Sequence, residues 1–115
     1  MHEIGIAHEI IQAGQREAAG RNGSKLLRIG IRIGTLAGVD GDALRFAFTA
    51  LTQGTELDSV EFDIQSCPRR DRCLDCAREF EPGLYSAPCP SCDSPRVALI
   101  GGDELDLAYV EVEEI

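Results

Sequence analysis

The sequence predicts an α/β (α+β) chain in which two helices and a small mixed three-stranded sheet carry an inserted cysteine-rich segment. Three observations support this. Apolar residues recur at helical spacing, then alternate, then repeat that sequence over residues 4–65. An alternating stretch returns near the C-terminal end. Between them, four of the five cysteines stand as Cys73/Cys76 and Cys89/Cys92, two Cys-x-x-Cys pairs with twelve residues between them.

Residues 4–19 form the first expected helix. Ile4, Ala7, Ile11 and Ala18 recur on one face, with Ile6, Ile10 and Ala13 widening the stripe, and Gly20 ends it. Residues 25–34 switch period: Leu27, Ile29, Ile31 and Ile33 alternate with Arg28, Gly30 and Arg32, as in a half-buried strand. Gly30 and Gly34 are candidates for close approach of another backbone or a local bend. Asp40 is placed to cap a second helix reaching about Gln53, with Leu44, Ala47, Phe48 and Leu51 inward, Phe46 off the stripe, and Gly54 as stop.

A second strand is expected over residues 59–65, where Val60, Phe62 and Ile64 alternate with Glu61, Asp63 and Gln65. After the cysteine segment come a short strand candidate at 97–100, a Gly101-Gly102 turn, and a last strand over 103–113. The apolar phase of that strand slips between Leu105/Leu107 and Val110/Val112, as a bulge or a two-sided strand requires. Strands on both sides of the cysteines can share one sheet. The expected division is therefore an α/β domain of residues 1–66 plus 97–115 and an inserted domain of residues 67–96.

Each Cys-x-x-Cys pair presents two sulfurs from one turn, and the intervening residues suffice for a short hairpin. Four sulfurs brought together suit Zn²⁺, with Cys73, Cys76, Cys89 and Cys92 as ligands of a zinc ribbon. Disulfides and a redox Cys-x-x-Cys pair compete with this reading. Five cysteines is an odd number and no secretory signal is evident, both of which weigh against a disulfide framework. A closed four-sulfur site is structural, so the chemistry lies elsewhere. Cys67 falls outside the tetrahedron and reads as a buried or free thiol.

The chain has 115 residues, 43% of them hydrophobic, enough for one modest core beside a metal-stapled segment. No apolar run is long enough to span a membrane, and absent targeting together with thiolate ligands reads as cytoplasmic. Net charge is −9, but five basic and five acidic residues balance between Cys67 and Arg96, so the excess lies outside the ribbon. Without a basic surface, nucleic acid is not an expected partner. No phosphate-cradling loop or nucleophile elbow is present, so no enzyme is expected.

The second constellation is the N-terminal triplet. Met1 should be retained because His2 is not small. The α-amine, the backbone nitrogens of His2 and Glu3, and the His2 imidazole then form fused chelate rings suited to Ni²⁺ or Cu²⁺, with Glu3 able to add a carboxylate. Exposed terminal backbone exchanges its ion readily, a property fit for a carrier. Against this stands the ordinary reading of a solvated terminal histidine. His8, farther along the first helix, reads as a surface histidine.

Met1-His2-Glu3-Ile4 opening a helix resembles the HypA/HybF family of hydrogenase maturation nickel chaperones. So do Ile33-Gly34-Thr35-Leu36-Ala37-Gly38-Val39 leading to Ala43-Leu44-Arg45-Phe46-Ala47-Phe48, the Cys73/Cys76 and Cys89/Cys92 pairs, and Gly102-x-Glu104-Leu105 before an acidic strand. The resemblance covers essentially the whole chain. It implies a nickel metallochaperone that delivers Ni²⁺ for [NiFe] hydrogenase maturation, with nickel at Met1, His2 and Glu3 and structural zinc on the four cysteines. Implied partners are a hydrogenase-maturation GTPase, the [NiFe] hydrogenase large subunit and, for some members, the urease machinery. Asp93 stands where the family usually has Gly, a source of strain if φ is positive there. Cys67 is also a departure. The alternative reading is a zinc-ribbon protein-interaction module without metal delivery.

Overall fold

A computed structural model describes residues 3–21 and 25–113. In chain order the elements are α1 (Glu3–Ala19), β1 (Lys25–Gly34), α2 (Gly41–Thr52), β2 (Glu61–Cys67), β3 (Arg70–Cys73), β4 (Glu79–Phe80), β5 (Val97–Gly101) and β6 (Leu105–Glu113). They form two three-stranded sheets, ordered β2-β1-β6 and β4-β3-β5. The chain divides into two compact units. The first is Met1–Arg32, Val39–Gln65 and Asp106–Ile115; the second is Ile33–Gly38 and Ser66–Leu105.

In the first unit, the expected helices and mixed sheet are present. Ala7, Ile10, Ile11, Gly14 and Ala18 are the buried face of α1. Ile4, counted in the expected stripe, is instead exposed, one turn before that face begins. On α2, Leu44, Ala47, Phe48 and Thr52 are buried. Asp40 caps the helix by accepting the N–H groups of Asp42 (2.9 Å) and Ala43 (3.3 Å), a contribution of about 1 kcal/mol. Phe48 stacks on Phe62 with ring centroids 4.2 Å apart and planes 8° from parallel. Phe46, two residues earlier, points away from the core and is 74% exposed.

β1 is the central strand of its sheet. Leu26, Ile29, Ile31 and Ile33 are buried along it, and Arg28 and Arg32 reach outward to Glu61, Glu111 and Asp106 on the flanking strands. Tyr109 of β6 lies over Gly30, and its hydroxyl donates to Asp63 on β2 (2.7 Å). Residues 107–110 of β6 are all half-buried, so the slipped apolar phase belongs to a strand partly covered on both faces. No helix among the described residues is long and apolar enough to cross a membrane.

The second unit is organised by short ladders. β3 pairs antiparallel with both β4 and β5. The short strand expected at 97–100 is thus the edge of this sheet. The unit containing the cysteines includes the expected insertion, 67–96, and extends to Leu105 while adding Ile33–Gly38. Those two outlying pieces meet at glycines. Gly34 donates to Glu104 O (2.7 Å), and Leu36 donates to Gly102 O (2.7 Å). A Cβ on Gly34 would overlap the Gly102 carbonyl, and Gly102 itself holds φ +106° against the Arg69 backbone. This is the close backbone approach that β1's glycines suggested.

Candidate metal centre

The four cysteines come together because each pair closes the same tight turn. In the first, Cys73 O accepts the Ala77 N–H (3.0 Å) and the Cys73 N–H donates to Arg78 O (2.8 Å). In the second, Cys89 O accepts the Asp93 N–H (2.8 Å) and the Cys89 N–H donates to Ser94 O (2.9 Å). The sulfur of each leading cysteine also accepts backbone N–H groups. Asp75 and Cys76 point theirs at Cys73, both at 3.4 Å, and Ser91 points its own at Cys89, also at 3.4 Å.

Each turn ends on a residue with positive φ, Ala77 at 66° and Asp93 at 62°. The strain anticipated at Asp93 thus has its geometric cause, and Ala77 repeats it. A Cβ in the left-handed region costs roughly 1–2 kcal/mol, less for Asp, whose side chain can bond locally. Ala77→Gly is therefore expected to stabilise this unit by about 1 kcal/mol, and Asp93→Gly by less. Amide exchange of β3 and β5 measures both, and slower exchange in neither variant would contradict the argument.

The ligand atoms of Cys73, Cys76, Cys89 and Cys92 all lie within 4.8 Å of one another. Cys73 and Cys92 sulfurs are 3.5 Å apart, and Cys76 and Cys89 sulfurs 3.6 Å. A Zn–S bond of about 2.3 Å places the corners of a regular tetrahedron about 3.8 Å apart. The donor set and its spacing therefore fit Zn²⁺. Cys73 and Cys89 are buried, whereas Cys76 and Cys92 are exposed.

This inequality extends to their acidity. The Cys76 N–H on its sulfur draws Cys73 down to about 7, against the opposing effect of desolvation. Cys89 is lowered likewise, chiefly by the Cys92 N–H. On Cys76, the Arg78 N–H pulls downward, but contact with Cys89, desolvation and Cys73 raise it overall. On Cys92, the Ser94 N–H also pulls downward, yet Cys73, desolvation, Cys76 and Cys89 push it up to about 12. Four adjacent thiolates do not coexist near neutrality unless a cation joins them.

Side chains tie the two turns together. Ser94 Oγ donates to Asp75 Oδ2, and Arg96 Nη1 donates to Asp75 Oδ1 at 2.7 Å. Arg78 Nη1 donates to Ser91 Oγ at 2.5 Å. On β3, two residues before Cys73, fully buried Asp71 takes a two-pronged bond from Arg69, at 3.1 and 3.3 Å. Neither arrangement was evident from residue spacing. The only available signal was a polar residue immediately before each outer cysteine, Asp75 before Cys76 and Ser91 before Cys92.

The other sequence-predicted site falls largely elsewhere: Met1 and His2 lie outside the described residues, and Glu3 is the first residue of α1. His8 is exposed on that helix. Cys67 ends β2, half-buried, and among the described residues it is not part of the four-sulfur cluster; its carbonyl accepts the Thr35 N–H at 2.9 Å.

Comparison with known proteins matches residues 1–112 to a family model described as hydrogenase/urease nickel incorporation, metallochaperone, HypA. The hydrogenase maturation factor HypA of Geobacter metallireducens is 34% identical over 113 residues, covering 98% of this chain and all of that protein. Its counterpart from Synechococcus elongatus is 37% identical over 112 residues, covering 97% and 99%. The solution structure of the Ni metallochaperone HypA from Helicobacter pylori shares the fold over the full length of both chains, with a TM-score of 0.68 at 24% identity.

Proposed function

The chain belongs to the HypA family of hydrogenase/urease nickel-incorporation metallochaperones, and from this premise we propose that it carries Ni²⁺ at its amino terminus and delivers it for [NiFe] hydrogenase maturation. Nickel is held by the Met1 amine, the His2 and Glu3 backbone nitrogens and the His2 imidazole; Cys73, Cys76, Cys89 and Cys92 hold a structural Zn²⁺. The observation that carries the reading is the family match across residues 1–112, which takes in both sets of ligands.

Donor chemistry supports it. Glu3 opens α1, so its N–H belongs to the first turn, where backbone donors have no partner within the helix. Such nitrogens are available to an ion without unravelling helical hydrogen bonds. Nitrogen ligands in a planar set favour Ni²⁺ or Cu²⁺ over Zn²⁺. A terminal site can surrender its cargo by stepwise ligand exchange to an acceptor with more donors. The acceptors are the maturation GTPase and the hydrogenase large subunit, with the urease machinery as a further recipient. The net charge of −9, concentrated outside the ribbon, favours cation capture. The first unit, to which the amino terminus belongs, is the nickel carrier in this reading, and the second unit, built around residues 67–96, forms the ribbon that shapes a docking surface. A cytoplasmic location is part of this reading, favoured by thiolate ligands that need a reducing compartment.

The test is a Ni²⁺ titration of protein with a free amine beside His2→Ala and an N-acetylated form. One nickel per chain is expected, lost in both variants. Equal uptake by all three would remove the terminal site, and a zinc-ribbon interaction module would become the reading if that uptake proved nonspecific.

Zinc binding should also displace protons. In metal-free protein the cysteine unit is unfolded, so the backbone and sulfur contacts that spread the four acidities are lost and the thiols return to the ordinary cysteine range, about 8.5. Most are protonated at pH 8 and nearly all at pH 6, and each must lose its proton to bind. About three protons per zinc are expected at pH 8, rising toward four near pH 6. Affinity accordingly falls with acid. A zinc titration in weakly buffered solution, read by base uptake, gives the count; release that does not grow with acidity would contradict binding by four thiolates.

A further inference from the structure

The two side-chain bridges across the cysteine turns obey one rule. Asp75 stands immediately before Cys76, and its partner Ser94 stands two residues after Cys92. Ser91 stands immediately before Cys92, and its partner Arg78 stands two residues after Cys76. Each bridge thus runs from the residue before one outer cysteine to the second residue beyond the other. They straddle Cys76 and Cys92, the two exposed sulfurs, while Cys73 and Cys89 are buried.

We propose that Asp75 with Ser94 and Arg96, and Ser91 with Arg78, are positioning residues that hold the two turns closed and thereby set the rate at which the four-sulfur site gives up its ion. This inference rests on the zinc reading above. For a competing ligand to reach the ion, one turn must swing away from the other, and the exposed outer cysteines are the natural place for that opening to begin. The backbone bonds within the turns, Ala77 to Cys73 and Asp93 to Cys89, travel with their own turn and do not oppose it. The Leu74 N–H bond to Arg96 O does, but it adjoins the inner Cys73 in the sequence and not the outer cysteines. The side-chain bridges do oppose it, because their ends lie on different turns.

The bridges are unequal. The first contains the Ser94 hydroxyl and Arg96 guanidinium on one carboxylate, and the Arg96 N–H also donates to Ser94 Oγ at 3.1 Å. The Leu74 N–H bond to Arg96 O at 2.8 Å fixes the segment that carries them. The second is one charge-assisted bond to a neutral hydroxyl. Charge-assisted pairs are the stronger class, although exposure weakens them. Loss of the first bridge should therefore matter more.

The test loads the full chain with zinc and follows transfer to an excess of chromophoric chelator. Asp75→Ala and Ser94→Ala should accelerate transfer about tenfold, and Ser91→Ala about threefold. Ser94→Thr, which keeps the hydroxyl, should return to the parent rate. Arg70→Ala, which removes an exposed ion pair to Glu79 that does not join the two cysteine turns, should not change it. The Co²⁺-substituted absorption spectrum and amide protection of β3 and β5 should match the parent in every variant, which separates positioning from loss of fold. Parent-like transfer in Asp75→Ala and Ser94→Ala would overturn the proposal, as would acceleration accompanied by lost strand protection or shared by Arg70→Ala. Absence of zinc from the parent protein would instead overturn the zinc reading on which it stands.

Discussion

Cys89→Ala is expected to unfold the second unit while the first remains folded. Among the described residues, the buried apolar side chains of the second unit are Ile33, Cys73 and Cys89. Two of these three are members of the sulfur cluster. Fully buried Asp71 adds a charge that must be matched by Arg69 and does not itself drive collapse. A unit with so little apolar burial cannot offset the entropy of ordering its chain. The offset comes from the metal, whose apparent binding free energy in small structural zinc sites is on the order of 10–16 kcal/mol. Removing Cys89 takes away one of four ligands and opens a gap beside Cys76. Amide exchange should then reach the unprotected rate across the β3–β5 ladder, where Arg72 pairs with Ala98, and remain slow in α1, β1 and α2. Persistent protection of Arg72 and Ala98 would show that the unit has another source of stability. Metal-stripped parent protein should behave as the variant does.

The second large effect belongs to Phe48→Ala. Phe48 is fully buried and stacks on Phe62. Truncation removes the largest fully buried side chain of the core and leaves a cavity between α2 and the sheet. The loss should be about 3–5 kcal/mol, a large part of the 5–15 kcal/mol that holds an ordinary domain together. Phe46→Ala, at a side chain left 74% exposed, should change stability by less than about 0.5 kcal/mol. Both described helices belong to the first unit, so far-UV circular dichroism during urea unfolding reports that unit directly. Equal midpoints for the two variants would refute the assignment of the inward face of α2.

That face was legible because Leu44, Ala47 and Phe48 obey helical spacing, and the same is true of Ala7, Ile11 and Ala18 on α1. The four-sulfur cluster was legible for a different reason: its spacing is set by ligand geometry rather than by packing. β3 and β4 were not legible. Arg70-Asp71-Arg72-Cys73 has no apolar alternation, because the inward position between Arg70 and Arg72 is filled by a buried carboxylate matched by Arg69. Apolar periodicity cannot register a strand whose core residue is charged. Ile4 misled in the opposite sense: its spacing fits the buried stripe of α1, but it falls at the helix end, beyond the packed face. The proposed N-terminal nickel ligands became specific only through resemblance, since a histidine beside an amine leaves no periodic trace.

The interleaving of the two units along the chain also bears on biosynthesis. Every residue of the second unit, from Ile33 to Leu105, is translated before the segment from Asp106 onward, whereas the first unit cannot complete its sheet until β6 is made and pairs beside β1. Domains fold during synthesis as their parts emerge. On the ribosome the cysteine unit is thus the first to have all its pieces, and zinc is the first ion the nascent protein can use. The unit proposed to carry nickel follows it, closed by β6.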